Sequence, residues 1–295
     1  MAQLDRATDY GSVGWGFESL RARIRGPRTA LVMYKRKLLL GAAAALAFGP
    51  ACSNVDGPPP VGNDGDPLYF PNGDGSSWTY FCQRYSNNVP HGEPFECTET
   101  LDGEAAVGGR VAQRLVRFAA GNEEYEICFL HDDEENYVVA LGREFYVGGL
   151  MTGAVYFDPE WSYLTYPLRV NRSWSEVKQL QLSPLCLGLP ADVDGDGKED
   201  NVDVEIVRTV VTKEDLTIPI GKFEGCYKVR RTVYATFHMT QGGDVEMSYV
   251  QYGWFKPNTG FVQYTGDEIH APNAAQYTFL AQLKHYHVSG PDAGA

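Results

Sequence analysis

The pattern that most limits the fold lies between residues 68 and 288. There, short runs of β-branched and aromatic residues alternate with glycine, proline, asparagine and aspartate. Such runs, bounded by turn-forming residues, are typical of β-strands. No clear amphipathic helix separates them, although the stretch from Tyr277 to Val288, with its alanine and leucine, is the one most compatible with a helix. We therefore predict a single all-β domain over residues 68–288.

The run from Cys226 to Met239 shows the clearest alternation. One predicted face carries Tyr227, Val229, Val233, Ala235, Phe237 and Met239, and the other carries Lys228, Arg230, Thr232, Thr236 and His238. A strand with one apolar and one polar face is typical of antiparallel sheets. Arg231 interrupts the apolar face, so we predict that this face opens to solvent or to a partner near Arg231.

A calcium loop is predicted over residues 192–203. Counted from Asp192, acidic side chains recur at positions 1, 3, 5, 9 and 12, and Lys198 offers its backbone carbonyl at position 7. This spacing suits a cation that takes six to eight oxygen ligands, and Gly197 at position 6 permits the sharp turn. The predicted ligands are Asp192, Asp194, Asp196, Lys198, Asp200 and Asp203.

The loop continues into a predicted strand, not a helix, which distinguishes it from an EF-hand. It resembles the Asp-x-Asp-x-Asp-Gly loops of extracellular β-proteins, and the resemblance implies a structural Ca²⁺. The alternative is an acidic turn that holds no ion. Mutual repulsion among the five carboxylates favours the ion.

The first 51 residues are typical of a leader and an export signal. Residues 1–32 resemble a translated transfer RNA gene, which makes Met33 the favoured start; the alternative is a genuine but disordered leader. From there, Lys35 to Lys37 precede an apolar run that is too short to span a bilayer, as in a secretory signal peptide over residues 33–51.

Cys52 follows small residues and is the predicted lipidation site, which would anchor the protein to a membrane. The alternative is ordinary cleavage after Ala51. Residues 52–67, rich in Gly, Pro and Asp, have almost nothing to bury and are predicted to be a flexible tether. Residues 289–295 are predicted to be a disordered tail.

Charge excludes one class of partner. Residues 1–51 hold 8 of the 25 Lys and Arg residues and 3 of the 38 Asp and Glu residues, so the remaining 244 residues carry a formal net charge of −18. A domain this acidic repels nucleic acid and anionic headgroups. We therefore expect no nucleic-acid partner, and the lipid is the predicted membrane contact.

Six cysteines are present, and five remain if Cys52 carries lipid. In an oxidising compartment five cysteines permit two bridges and one leftover thiol. We predict the pair Cys82–Cys97, on consecutive strands, and the pair Cys186–Cys226, which flanks the calcium loop.

Several motifs resemble those of uncharacterised secreted bacterial lipoproteins. They are the Phe-Pro entry at residues 70–78, a related segment at 166–174, the turn Ile218-Pro-Ile-Gly-Lys-Phe223 and the close Trp254-Phe-Lys-Pro-Asn-Thr-Gly-Phe-Val262. In the two entry segments, a tryptophan follows the proline by seven residues. The resemblance implies a curved antiparallel sheet of half-barrel or lipocalin-like form, with the calcium loop inserted, and no established activity.

No nucleophile elbow, phosphate loop or zinc-protease helix occurs, so we predict no catalytic residue and no enzyme. The expected protein is a calcium-stabilised β-domain of the bacterial cell envelope, as an outer-membrane lipoprotein or in secreted form. One alternative is a carrier that holds a lipid or other apolar ligand in a half-barrel. A weaker one is a glycan-active enzyme. The sequence leaves the oligomeric state open.

Overall fold

The computed structural model describes residues 73–119, 124–133, 137–165, 167–181, 191–272 and 274–289. These residues form one sheet of twelve strands. The strands are β1 (Ser77–Ser86), β2 (Val89–Val107), β3 (Arg110–Ala119), β4 (Glu124–Asp133), β5 (Tyr137–Val147), β6 (Leu150–Thr165), β7 (Ser173–Gln181), β8 (Asn201–Ile218), β9 (Gly221–Met239), β10 (Gly243–Lys256), β11 (Gly260–Asp267) and β12 (Thr278–His287).

Neighbouring strands are antiparallel throughout, in the order β6-β5-β4-β3-β2-β1-β12-β11-β10-β9-β8-β7. The chain therefore forms two six-strand meanders, which join where β1 pairs with β12. β6 and β7 end the series, so the sheet is not closed into a barrel. The prediction of an all-β antiparallel fold is confirmed, and the sheet is open, not closed.

The predicted alternation in β9 places the core correctly. Val229, Val233, Ala235 and Phe237 are all buried. The predicted opening at Arg231 is wrong, because Arg231 is only 7% exposed and donates a hydrogen bond of 2.7 Å from its guanidinium to Gln251 Oε1. A polar residue on the opposite strand thus binds the buried guanidinium within the core.

The helical alternative for residues 277–288 is also wrong. Residues 278–287 of this stretch form β12, which pairs with both β1 and β11. Phe279, Ala281 and Leu283 are each 1% exposed, at alternate positions. A two-residue period buries one face of a strand, and this pattern outweighs the helix propensity of alanine and leucine.

Charged residues cross the core of the first meander. Glu99, Arg117, Glu126 and Arg143 lie on β2, β3, β4 and β5 and are at most 8% exposed. Arg117 is directly opposite both Glu99 and Glu126 in the strand register. Its Nε lies 2.9 Å from Glu99 Oε1, and one terminal guanidinium nitrogen lies 3.6 Å from Glu126 Oε1. A buried charge is strongly destabilising unless an opposite charge lies beside it, so this row favours the observed register of the four strands.

Candidate metal centre

The aspartate-rich segment forms an irregular loop that leads into β8 at Asn201. Gly195 and Gly197 have φ angles of 81° and 86°, a left-handed backbone that favours glycine. Asp192 closes the loop, since one of its carboxylate oxygens accepts from the Gly195 N–H at 2.6 Å and the other from the Gly197 N–H at 2.9 Å. The aspartate and glycine spacing in the sequence therefore produces a compact, self-bonded turn.

The loop also docks on the turn between β9 and β10. Asp200 accepts from the Thr240 N–H at 2.9 Å and Asp194 from the Gln241 N–H at 2.7 Å. Asp196 accepts from the Thr240 hydroxyl at 2.6 Å. These contacts join residues 40 to 47 positions apart in the sequence, so the loop's shape depends on the sheet.

Three of the predicted ligands converge. Asp192, Asp194 and Asp200 each present a carboxylate oxygen, and these oxygens lie within 4.8 Å of one another. Asp200 is fully buried, while Asp192 and Asp194 are partly exposed. Three carboxylates this close could hold a metal ion, because their repulsion is relieved when a cation lies between them.

The other predicted ligands lie around the triad. Asp196 contacts Thr240, and this hydrogen bond, followed by one from the Lys198 N–H, lowers the pKa of Asp196. Lys198 directs its ammonium group to Asp196 at 3.6 Å. Asp203 is on β8, where it faces His238 and not the triad. The structure thus brings together positions 1, 3 and 9 of the predicted loop.

Thr240 and Gln241 were not predicted to contribute to this site. They lie at the β9–β10 turn, and the local sequence there indicates only a hairpin, with Gly242 and Gly243 at positive φ. Their contacts with the loop join distant parts of the chain, and the spacing of residues in one sequence cannot predict such contacts.

His238 lies between two carboxylates on the surface. Its Nδ1 is 3.0 Å from Asp244 Oδ1 and its Nε2 is 3.2 Å from Asp203 Oδ2. The hydrogen bond with Asp244, followed by that with Asp203, raises the pKa of His238 above its usual value. The protonated imidazole therefore favours the folded state. This contribution is complete below the unfolded-state pKa and is lost as pH rises through the higher folded-state pKa.

We expect an NMR titration of His238 to give a pKa above 6.5, the usual value for histidine. Asp244→Asn should lower this pKa more than Asp203→Asn, because Asp244 makes the dominant contact. A His238 pKa unchanged by both substitutions would contradict the geometry.

The cysteine predictions fall partly within the described residues. Cys82 and Cys97 are buried free cysteines on the paired strands β1 and β2. Their side chains are in contact, and the hydrogen bond with Cys82, together with burial, raises the pKa of Cys97. The bridge between them stays a prediction. Cys226 is a buried free cysteine, while Cys186 and Cys52 lie outside the described residues.

Comparisons with known proteins place the chain in no family, since no family model and no curated protein matches it. Two solved structures are similar. One is a candidate exported protein with a YmcC-like fold from Bacteroides fragilis, with 14% identity, a TM-score of 0.30, and coverage of 74% of this chain and 98% of that chain. The other is a candidate lipoprotein from Parabacteroides distasonis, with 14% identity, a TM-score of 0.32 and the same coverage.

Proposed function

We propose that this protein is a lipid-anchored, non-enzymatic β-domain outside the cytoplasm, and that its loop at residues 192–200 binds Ca²⁺ to stabilise the fold. The observation that carries the calcium proposal is the convergence of Asp192, Asp194 and Asp200. The donors are carboxylate oxygens, which suit Ca²⁺ and Mg²⁺ better than the histidine- and thiolate-binding Zn²⁺. Ca²⁺ is favoured over Mg²⁺ because it accepts irregular geometry and further oxygen ligands.

The ion's role follows from where the loop docks. Asp194 and Asp200 would each bind the ion through a carboxylate oxygen. The same side chains accept hydrogen bonds from backbone N–H groups of the β9–β10 turn. An ion held by these carboxylates would therefore fix the entry to β8 against the end of β9. Since the unfolded chain lacks this arrangement, binding would favour the folded state.

Calorimetric titration of chelator-stripped protein tests the proposal. We expect one Ca²⁺ per chain with a Kd of roughly 10⁻⁴ to 10⁻³ M, the range of extracellular calcium modules. Mg²⁺ should bind more weakly, because it demands near-ideal octahedral geometry. Heat released by Zn²⁺ but not by Ca²⁺ would reject the assignment.

The anchor is proposed from the sequence, because Cys52 lies outside the described residues. A signal-like segment ends at this cysteine, and a tether over residues 52–67 separates it from the domain. Among the described residues, no helix is long and apolar enough to cross a bilayer.

We expect Cys52→Ala to move the protein from the detergent phase to the aqueous phase when cells are extracted and the phases are separated. Without the thiol no acyl chain can be attached, and the acidic domain has little other affinity for membranes. Asn54→Ala, in the same tether, is the matched control and should stay in the detergent phase. Equal partitioning of Cys52→Ala and wild type would reject the anchor.

A further inference from the structure

The two edge strands meet at a seam held by side chains. Glu176 on β7 accepts a hydrogen bond from the Ser162 N–H on β6 at 3.0 Å. Lys178 on β7 donates from its ammonium group to the Glu160 carbonyl on β6 at 2.8 Å. Every other pair of neighbouring strands in the described sheet is joined by a backbone ladder. The seam is therefore where the sheet can open without breaking a ladder between strands.

Trp174 lies on β7 beside this seam. It and Trp78 occupy equivalent places, since each is the second residue of the first strand of its meander. Trp78 donates its indole N–H to the Thr259 carbonyl. The Trp174 indole nitrogen is shielded from solvent and has no hydrogen-bond partner among the described residues. A buried donor without an acceptor destabilises the folded state, so the difference between the two tryptophans requires an explanation.

A second such donor lies next to it. Arg208 on β8 is directly opposite Trp174 and is 5% exposed. One terminal nitrogen of its guanidinium donates to Glu176 Oε1 at 2.8 Å. Its Nε, like the Trp174 indole nitrogen, is shielded and makes no hydrogen bond to any described residue. Side chains of directly opposed residues are neighbours on a sheet, so the two side chains that carry these unpaired N–H groups are adjacent.

The charges nearby favour an anion. Arg208 is directly opposite Arg231 on β9, and Lys178 lies along the seam, whereas Glu176 pairs with Arg208 and Glu160 interacts with Lys178. In the first meander the position equivalent to Arg208, opposite Trp78, is Glu99, an acid that pairs with Arg117. Cationic side chains therefore outnumber acidic ones near the seam, whereas the buried charge row of the first meander has two of each.

We infer that a small carboxylate binds at the β6–β7 seam, beside Trp174 and Arg208. One carboxylate oxygen would accept from the Trp174 Nε1–H and the other from the Arg208 Nε–H, with charge assistance from the guanidinium. Because both nitrogens are shielded, the ligand would enter when Glu176 releases the Ser162 N–H. The site shares no residue with the aspartate loop, so the inference is independent of the calcium proposal.

Acetate is the probe, and the indole N–H signals in ¹H–¹⁵N NMR are the readout. Trp174→Phe assigns the Trp174 signal by its disappearance. We expect acetate, at constant ionic strength, to shift that signal saturably. Trp78 and Trp254, whose indole N–H groups already donate to Thr259 and Glu214, are internal controls and should not shift.

A Glu176→Gln variant sharpens the test. The amide keeps the shape of the side chain and removes a like charge near the ligand, so acetate should bind roughly fivefold more tightly, the effect of one unit charge about 4 Å away in water. Formate should behave as acetate does. An unmoved Trp174 signal with either carboxylate would overturn the inference, as would saturation by phosphate or sulfate alone.

Discussion

Arg117→Met is expected to destabilise the protein by about 3–5 kcal/mol, the range for breaking a buried ion pair by removing one partner. Methionine approximates the length of the arginine stem but leaves Glu99 and Glu126 buried without the guanidinium. Desolvation lowers the pKa of Arg117, but Glu99, Tyr163, Glu126 and Cys128 together outweigh it, so the pKa ends above the usual arginine value and the wild-type side chain is charged. Urea denaturation followed by intrinsic fluorescence measures the change in unfolding free energy.

Arg114→Met is the matched control on the same strand. Arg114 lies 3.5 Å from Asp102, and the two side chains are 34% and 64% exposed. A surface pair of this kind contributes about 0–1 kcal/mol, so the control should stay near wild type. Equal destabilisation by Arg114→Met and Arg117→Met would show that the buried row has no special energetic role.

Asp192→Asn should abolish the stabilisation by calcium. Asparagine has nearly the same shape and can still accept from the Gly195 N–H, but it loses the second oxygen, which accepts from the Gly197 N–H, and the charge that the cation needs. At a calcium concentration of about 100 times Kd, wild type should gain about 2.7 kcal/mol and the variant close to none. Removing one of three clustered carboxylates also relieves repulsion, so the variant should be more stable than wild type in chelator. Thermal unfolding of both proteins in both buffers measures this reversal.

Asp215→Asn is the control for charge alone. Asp215 is exposed and pairs with Lys222 at 2.8 Å, outside the loop. It should keep the full calcium gain. If Asp192→Asn also keeps that gain, the triad does not bind the ion.

The sequence predicts the strands well because their two-residue period is local. In β9 the alternation identified the core face formed by Val229, Val233, Ala235 and Phe237. Arg231 was misjudged because its partner, Gln251, lies on another strand. The seam between β6 and β7 and the buried charge row were likewise beyond prediction, as both depend on strand order.

In the candidate site, too, local contacts were predicted from the sequence and long-range contacts were not. Residues 192–200 fold on themselves, so their spacing predicted the convergence of Asp192, Asp194 and Asp200. Asp203 follows the start of β8, where the chain becomes extended and the spacing of a turn no longer applies. The docking of the loop on Thr240 joins distant parts of the chain, and only the fold reveals it.

The melting temperature of the wild-type protein in calcium and in chelator tests the central claim most directly. A gain of about 2.7 kcal/mol is reached at about 100 times Kd, which is roughly 10–100 mM calcium for the expected Kd, and in a domain of this size it corresponds to a rise of roughly 5–10 °C. We expect that rise, fully reversed by chelator. A melting temperature that is the same in chelator, calcium, magnesium and manganese would contradict the claim that a metal ion in the aspartate loop stabilises this fold.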